Sequence, residues 1–195
     1  MTPPFRQPPY SYVLAAAYVV WVLPEVVDAV RDEATGPDLD GRSKHALYAA
    51  IGLGVGGAVG LGFRAPPWAT FDPLAVELFW VGVGLVVVGV GLRWYSAAVL
   101  GDAFSRSVTV SDGQAVVDSG PYAVVRHPSY TGSLVTVLGF GCALGTWPGL
   151  AWAIGLVGAG YAYRIRVEED ALRRELDGYA AYCERTPYRL VPGVY

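Results

Sequence analysis

Two neighbouring carboxylates, Glu168 and Glu169, occupy the apolar side of a helical pattern near the end of this sequence. Both lie three or four positions from Ile165 and from Leu172, a spacing that places all four side chains on one face of a helix. An unpaired charge on a buried face is costly. The two carboxylates therefore require a cationic side chain, a ligand with hydroxyl or amine donors, or a bound proton.

Three side chains are candidates to compensate these carboxylates. Arg164 precedes Glu168 by one helical turn, and Arg126 and His127 belong to an earlier segment of the chain. Such groups could form an ion-pair network that only holds the tail against the rest of the protein. They could equally surround a ligand, and the spacing alone favours neither interpretation.

The segment around His127 predicts a shaped loop that leads into a helix. Pro128 disfavours helical backbone at His127, and Gly132 permits a turn or close packing. No second His or Cys lies near His127, so no metal site is expected there. Cys142 and Cys183 lack the spacing of a zinc site and lie in different surroundings, so a disulfide is not expected either.

The elements that position these side chains are predicted to be membrane helices. Hydrophobic residues make up 53% of the 195 residues and charged residues 16%, a composition too apolar for an ordinary soluble domain. Residues 129–163 contain no Asp, Glu, Lys or Arg. As one helix they would measure about 50 Å, against a hydrocarbon core of roughly 30 Å. The stretch must fold back, and Gly-Thr-Trp-Pro-Gly at residues 145–149 predicts the turn.

We predict an all-α, polytopic membrane helix bundle of about five transmembrane helices with a cytoplasmic, amphipathic C-terminal helix. The apolar segments cover residues 12–30, 46–63, 73–100, 132–146 and 148–163, and the amphipathic helix covers residues 164–185. Pro24, Glu25 and Asp28 indicate a kinked or interfacial end to the first segment. The many glycines of the second and third segments are interpreted as packing positions.

The distribution of Lys and Arg favours a cytoplasmic C-terminus. Alternating the five segments from such a tail places residues 31–45, 93–131 and 164–195 on the same side. Of the 14 Lys and Arg residues, all but Arg6 and Arg64 then lie inside, as the positive-inside rule requires. Residues 1–10 predict no cleaved signal peptide. A single Lys among many Ala, Gly and Val suggests a GC-rich prokaryotic genome, so we expect a multi-pass protein of a prokaryotic cell membrane.

At these residues the chain resembles the isoprenylcysteine carboxyl methyltransferase family, within the wider group that includes membrane phospholipid N-methyltransferases. The resemblance rests on two motifs around a helical hairpin, which are Gly-Pro-Tyr with Arg-His-Pro-Ser-Tyr-Thr-Gly at residues 120–132 and Arg-Ile-Arg-Val-Glu-Glu-Asp-Ala-Leu at residues 164–172. Tyr179, Tyr182 and residues 185–192 continue it. It covers roughly residues 93–195, a methyltransferase-like cofactor-binding region, and leaves residues 1–92 as an N-terminal transmembrane region of one integrated domain.

The resemblance implies S-adenosylmethionine as methyl donor, bound on the cytoplasmic side. The implied cofactor-binding residues are Arg126, His127, Pro128, Tyr130, Glu168 and Glu169, and the implied catalytic residues are Arg164 and Glu169. Arg126 has a second interpretation, in which it ties its loop to a carboxylate. Methyl transfer to an already ionised acid requires positioning rather than a general base, and the forked guanidinium of Arg164 suits that task.

Several functions remain open at the level of the sequence. The first is methylation of an isoprenylated or otherwise lipophilic carboxylate. The second uses the same fold and cofactor on an amine or phospholipid headgroup, where a base would matter and Arg164 would be a poor neighbour. The third is that of a noncatalytic small membrane protein, and the fourth is that of a nicotinamide-dependent reductase of the sterol type. The expected partners are a lipophilic or prenylated acceptor and membrane lipid, without nucleic acid or metal.

Overall fold

The computed structural model describes residues 3–31, 42–101 and 114–194, and these residues are helical apart from loops and one isolated bridge between Thr70 and Thr146. The α-helices are α1 (Tyr10–Arg31), α2 (Ser43–Arg64), α3 (Ala75–Leu100), α4 (Pro128–Ala143), α5 (Trp147–Glu175) and α6 (Tyr179–Arg185). Short 3-10 helices form at Pro4–Arg6, Pro67–Ala69 and Gly120–Ala123. The predicted all-helical architecture is confirmed.

Each of the five predicted apolar segments forms a helix, from α1 to α5 in chain order. Within the described residues, α2 and α3 are the two helices long and apolar enough to cross a membrane. Helix α4 has 16 residues, which correspond to about 24 Å and fall short of a hydrocarbon core of roughly 30 Å. The count of five spans stays a prediction.

The tail differs from its predicted form. Residues 164–175 continue α5 without a break, so the expected amphipathic helix over residues 164–185 is not a separate element. The change from apolar to charged side chains at Arg164 does not interrupt the backbone hydrogen bonds of the helix. The helix ends at Glu175, Leu176 is already extended, and the chain turns at Gly178, whose φ of 83° is readily adopted by glycine, before α6 begins.

The bundle is built from two closely packed helix pairs, α3 with α4 and α2 with α5. A Cβ atom added to Gly132 would lie 2.6 Å from the carbonyl oxygen of Gly89 on α3. A Cβ atom at Gly54 on α2 would lie 2.7 Å from Cγ2 of Val157 on α5. Small residues thus allow direct backbone contact, which stabilises helix packing in lipid. The packing interpretation holds at these contacts, whereas Gly84 faces open space.

The loops separate into two ends of the bundle. At one end the backbone N–H of Phe71 donates to the carbonyl oxygen of Gly145, which joins the α2–α3 loop to the α4–α5 turn. This turn forms within the predicted residues, with a φ of 70° at Gly145. At the other end the N–H of Arg126 donates to the carbonyl oxygen of Tyr188. The side chains predicted as site residues gather at this second end.

Candidate active site

The C-terminal segment holds the loop that precedes α4. As predicted, Pro128 begins the helix and His127 stays outside helical conformation, with φ −125° and ψ 58°. The N–H of His127 donates to the carbonyl oxygen of Arg189 at 2.9 Å. The hydroxyl of Thr131 donates to the carbonyl oxygen of Leu190 at 2.8 Å. The C-terminal segment therefore fixes the backbone of the loop that contains Arg126 and His127.

Glu169 lies at the centre of a buried ionic cluster. Its Oε1 accepts a hydrogen bond from Nε of Arg126 at 2.8 Å and lies 3.2 Å from Nε2 of His127. Its Oε2 accepts a hydrogen bond from Nε of Arg189 at 3.0 Å. Glu169 itself is 2% exposed. We call these four residues, Arg126, His127, Glu169 and Arg189, the carboxylate clamp.

His127 and Arg126 keep Glu169 ionised. Burial by itself raises the pKa of this carboxyl group, but the hydrogen bonds and charges of His127 and Arg126 outweigh burial and lower the pKa to about 2. Arg126 also donates from Nη1 to the carbonyl oxygens of Thr186 and Pro187, each at 2.7 Å. Arg126 thus ties its loop to a carboxylate and to the C-terminal segment, which agrees with the second interpretation of this residue from the sequence.

Glu168 faces a large cavity instead. Its side chain is 22% exposed, compared with 3% for that of Glu169. The hydroxyl of Tyr130 donates to Oε2 of Glu168, and Nε of Arg164 lies 3.8 Å from the same oxygen. Oε1 lies 4.0 Å from Nδ1 of His127, which is beyond hydrogen-bonding distance. Oε2 of Glu168 thus accepts a hydrogen bond from Tyr130, and the side chain lines the cavity.

Arg164 is buried where α5 passes the beginning of α2. Its Nη1 donates to the hydroxyl of Ser43 at 2.9 Å, and its Nε donates to the hydroxyl of Tyr130 at 3.3 Å. The ring of Tyr130 lies parallel to that of His127, with 5.4 Å between the ring centroids. These contacts fix the guanidinium at the cavity wall. Ser43 was not predicted as a site residue, because it precedes Arg164 by 121 positions and carries no local signal.

One cavity of 810 Å³ extends from these polar residues into the apolar part of the bundle. Its polar end includes Tyr130, Arg164 and Glu168, and its far end includes Phe5, Phe63 and Leu144. The volume lies within the range of about 300 to 1,000 Å³ typical of small-molecule sites. A cavity with one polar and one apolar end suits an amphipathic ligand.

The structure separates the site residues predicted from the sequence into two sets. Those that line the cavity are Arg126, His127, Tyr130, Arg164 and Glu168. Pro128 and Glu169 lie outside that lining. Pro128 is buried as the first residue of α4, and Glu169 is enclosed by the clamp. Glu169 therefore contacts two residues of the lining, Arg126 and His127, without lining the cavity itself.

Two further cations, Lys44 and Arg93, line the cavity although sequence reasoning did not single them out as site residues. Nη1 of Arg93 lies 3.3 Å from the hydroxyl of Ser129, to which it donates. Arg93 interrupts the apolar segment at residues 73–100, and a charge within such a segment is itself a signal of a functional or paired residue. Lys44 stands beside an apolar segment and gives a weaker signal.

Tyrosines complete the polar end of the cavity. The hydroxyl of Tyr182 on α6 donates to the carbonyl oxygen of Tyr122 at 2.8 Å. Burial raises the pKa of Tyr182 to about 12, so the phenol stays neutral and can donate. Tyr122, Tyr179 and Tyr182 all line the cavity. They belonged to the sequence resemblance but not to the predicted site.

A sequence profile of the phospholipid methyltransferase family matches residues 78–177, just over half of the chain. The chain belongs to this family. The match includes the loop before α4, the α4–α5 hairpin, and the adjacent glutamates Glu168 and Glu169. The resemblance noted in the sequence to this group of membrane methyltransferases is confirmed.

Three curated relatives match the chain over part of its length. The cobalt-zinc-cadmium resistance protein CzcN of Cupriavidus metallidurans is 33% identical over 119 residues, 60% of this chain and 49% of that protein. The Delta(14)-sterol reductase TM7SF2 of Mus musculus is 28% identical over 92 residues, 46% of this chain and 22% of that protein. The protein-S-isoprenylcysteine O-methyltransferase B of Arabidopsis thaliana is 27% identical over 124 residues, 60% of this chain and 62% of that protein. This chain thus spans less than two thirds of the length of each relative.

The name of the first relative refers to cobalt, zinc and cadmium, which raises the question of a metal site in this chain. Among the residues that the structure describes, no group of three or more His, Cys, Asp or Glu side chains could hold a metal ion. The donors that converge at the polar end of the cavity are guanidinium and phenol groups, which suit anions and oxygen-bearing ligands.

Proposed function

We propose that the protein is an integral membrane, S-adenosylmethionine-dependent methyltransferase that methylates the carboxylate of an isoprenylcysteine-like or other lipophilic acceptor. Membership of the phospholipid methyltransferase family supports the reaction class. Similarity to an isoprenylcysteine O-methyltransferase supports the acceptor class. The observation that carries the choice of acceptor is the presence of three cations, Lys44, Arg93 and Arg164, in the lining of the cavity at its polar end.

The order of lining residues along the helices indicates that the apolar part of the cavity begins next to these cations. On α2, Lys44 precedes the apolar Ile51 and Val55, and on α4, Ser129 precedes the apolar Val137. An acceptor whose tail lies among the apolar residues would therefore present its headgroup to the cations. A carboxylate suits that position, because guanidinium groups bind it through charge-assisted hydrogen bonds.

The polar end fits the chemical groups of S-adenosylmethionine. The partly exposed carboxylate of Glu168 suits an ammonium group or ribose hydroxyls. The parallel rings of His127 and Tyr130 offer aromatic surface to a base or to a sulfonium cation. When bound, the cofactor would supply an electrophilic methyl group on sulfur.

The contribution of the chain's own residues in this proposal is positioning. A carboxylic acid acceptor is already ionised at neutral pH and requires no general base. Arg164, held by Ser43 and Tyr130, would orient the acceptor carboxylate. The clamp around Glu169 would keep His127 in place as part of the cofactor wall. The product is a methyl ester, and no protein group has to accept a proton.

We also infer from the cavity lining that two parts of one integrated domain form different sides of the cavity. Residues 1–92 would provide most of the acceptor side, including Leu14 and Ile51 on the walls of the apolar part. Residues 93–195 would provide the cofactor side, including His127 and Glu168.

Five membrane crossings with a cytoplasmic C-terminus are part of this proposal. Helices α2 and α3 have the length and apolarity for crossing. Exposed Trp68 and Trp147 lie at the end where the α2–α3 and α4–α5 loops meet, and exposed Trp94 and Tyr95 lie toward the other end of α3. Aromatic residues at both ends of a bundle are typical of the two membrane interfaces.

The decisive experiment follows a labelled methyl group from S-adenosylmethionine to matched acceptors. Protein purified in detergent would be given a prenylcysteine analogue or phosphatidylethanolamine, and the label would then be tested for release by base. Methyl esters release the label as methanol in base, whereas N-methyl groups retain it. We expect base-labile label on the prenylcysteine analogue.

Variants of two arginines on α5 sharpen this experiment. Arg164→Gln should lower kcat/KM about 100-fold, because a misplaced acceptor carries a cost of that order. Arg166→Gln, at an exposed position two residues later, should leave kcat/KM unchanged. Base-stable label on the amine acceptor would replace the proposal with N-methylation. Failure of a folded sample to bind S-adenosylmethionine in calorimetry would exclude both and favour a reductase or a noncatalytic role.

A further inference from the structure

The apolar part of the cavity follows α2 along nearly its full length. The lining residues on α2 run from Lys44 to Phe63 and recur at the three- and four-residue spacing of one helix face. The rise from Leu47 to Phe63 corresponds to about 24 Å. Half of the hydrocarbon core measures only about 15 Å. The cavity is therefore long enough for a tail that exceeds one leaflet.

Glycines keep one wall of this cavity open. Gly52 and Gly56 both line it, and a Cβ atom added at either position would meet no atom within 4 Å. The space in front of them can therefore hold a ligand chain. A bulky side chain at either position would narrow the cavity part-way along α2.

Two aromatic rings and one aliphatic side chain close the far end. Phe5 is 6% exposed, and its ring meets the ring of Phe63 edge-on, with 5.2 Å between centroids. Leu144, 1% exposed, lies at the same end. The guanidinium of Arg6 donates to the carbonyl oxygen of Gly62 and lies 5.4 Å from the centre of the Phe63 ring. These contacts anchor the 3-10 helix Pro4–Arg6 on the end of α2.

We propose that Phe5 is a specificity-determining residue that stops the acceptor tail and so sets the greatest tail length the protein accepts. A longer tail would have to displace a buried ring that is packed on Phe63 and beside Leu144. The substrate class is then a carboxylate with one long hydrocarbon chain, of a length fixed by the segment before α1. The inference rests on the proposed function, because it places the acceptor tail in the same cavity.

The test measures binding and methyl transfer for a series of thioether carboxylic acids with tails of increasing length. Binding is read as thermal stabilisation of the full chain in detergent, without cofactor. Wild-type protein should show an optimum, with at least a tenfold loss of affinity for the next longer tail. Phe5→Ala should move the optimum to a longer tail, and Gly56→Leu should move it to a shorter one. Phe5→Leu, which keeps most of the volume, should give a smaller shift in the direction of Phe5→Ala.

Phe71→Ala is the matched control for loss of a buried ring at this end of the bundle. Phe71 is 5% exposed and packs on Trp147 with 4.4 Å between ring centroids, but it lies outside the cavity lining. Its loss should lower stability and leave the optimum unchanged.

The outcomes distinguish this inference from the proposed function. An unchanged optimum in folded Phe5→Ala would overturn the inference, and so would an unchanged optimum in Phe5→Leu if Phe5→Ala does not fold. A shifted binding optimum without any methyl transfer would retain the inference and reject the methyltransferase assignment for these acids. Methyl transfer with the same optimum in every Phe5 variant would do the reverse.

Discussion

Glu168 and Glu169 are neighbours in the sequence, yet they belong to two regions with different physical character. Glu169 belongs to the carboxylate clamp, where Arg126, His127 and Arg189 contact both of its oxygens. Glu168 belongs to the cavity wall, where its side chain is partly exposed and Tyr130 contacts one oxygen. Successive residues of a helix point about 100° apart, so one carboxylate reaches the loop and the other reaches the cavity.

The difference indicates which carboxylate is available to a ligand. Both oxygens of Glu169 already interact with cationic or imidazole groups, so we expect this residue to contribute chiefly to stability and to the position of His127. Glu168 has an oxygen beyond hydrogen-bonding distance of His127 and lines the cavity. Loss of the Glu169 carboxylate should therefore affect folding most, and loss of the Glu168 carboxylate should affect ligand binding most.

The largest effect on folding is expected from Glu169→Gln. Removal of this charge leaves the buried Arg126 guanidinium without its counterion, and breaking a buried pair in this way costs about 3 to 5 kcal/mol in free energy of unfolding. Denaturant unfolding of the detergent-solubilised protein measures the loss. Asp170→Asn, at the next and exposed position, is the control and should change the free energy little. Equal losses in the two variants would contradict the role of the clamp.

The stability contributed by Glu169 should also disappear in acid. Its folded-state pKa of about 2 lies below the ordinary value of 4.5, so its contribution is fully present above pH 4.5 and falls as the pH drops toward 2. The size of this contribution is about 3 kcal/mol. The measurement is the free energy of unfolding as a function of pH. Over this range the Glu169→Gln curve should lack the decrease, and parallel curves for variant and wild type would refute the assignment.

Glu168→Gln should produce the opposite pattern. Replacing the carboxylate with an amide weakens a charge-assisted contact to the cofactor, and we expect about a tenfold loss of S-adenosylmethionine affinity, or about 1.4 kcal/mol. The free energy of unfolding should fall less than in Glu169→Gln, because the Glu168 side chain is partly exposed and its nearest cation, Arg164, lies 3.8 Å away. Calorimetric titration measures the affinity. A greater loss of affinity in folded Glu169→Gln than in Glu168→Gln would reverse the roles assigned to the two carboxylates.

The helices of the bundle were predictable because their signals are local. Apolar segments, and the glycines and proline of the turn at residues 145–149, specify where α4 and α5 end and begin. The continuation of α5 to Glu175 was not predicted, since a change in side-chain polarity does not end a helix. The break begins at Leu176, whose backbone is extended, and includes Gly178 with its positive φ.

The site was predictable only in part, because its contacts join distant parts of the chain. The spacing of Glu168 and Glu169 correctly required compensating cations, but one helix face could not show that the two would diverge. The pairing of Arg164 with Ser43 and the approach of Arg189 to Glu169 depend on the packing of α2 and of the chain end. Such tertiary contacts have no pattern within a short window of sequence.

The smallest effects are expected at the solvent side of the clamp, where two arginines approach Oε2 of Glu169. Arg189 lies 3.0 Å away with a side chain 32% exposed, and Arg173 lies 3.7 Å away with a side chain 49% exposed. Greater exposure increases screening, so Arg189→Gln should lower the free energy of unfolding by about 1 kcal/mol and Arg173→Gln by less than about 0.5 kcal/mol. Double-mutant cycles with Glu169→Gln isolate each coupling energy from other contacts of the arginines. A coupling at Arg173 as large as that at Arg189 would mean that water does not screen this side of Glu169, and the division between a buried clamp and an accessible cavity wall would have to be redrawn.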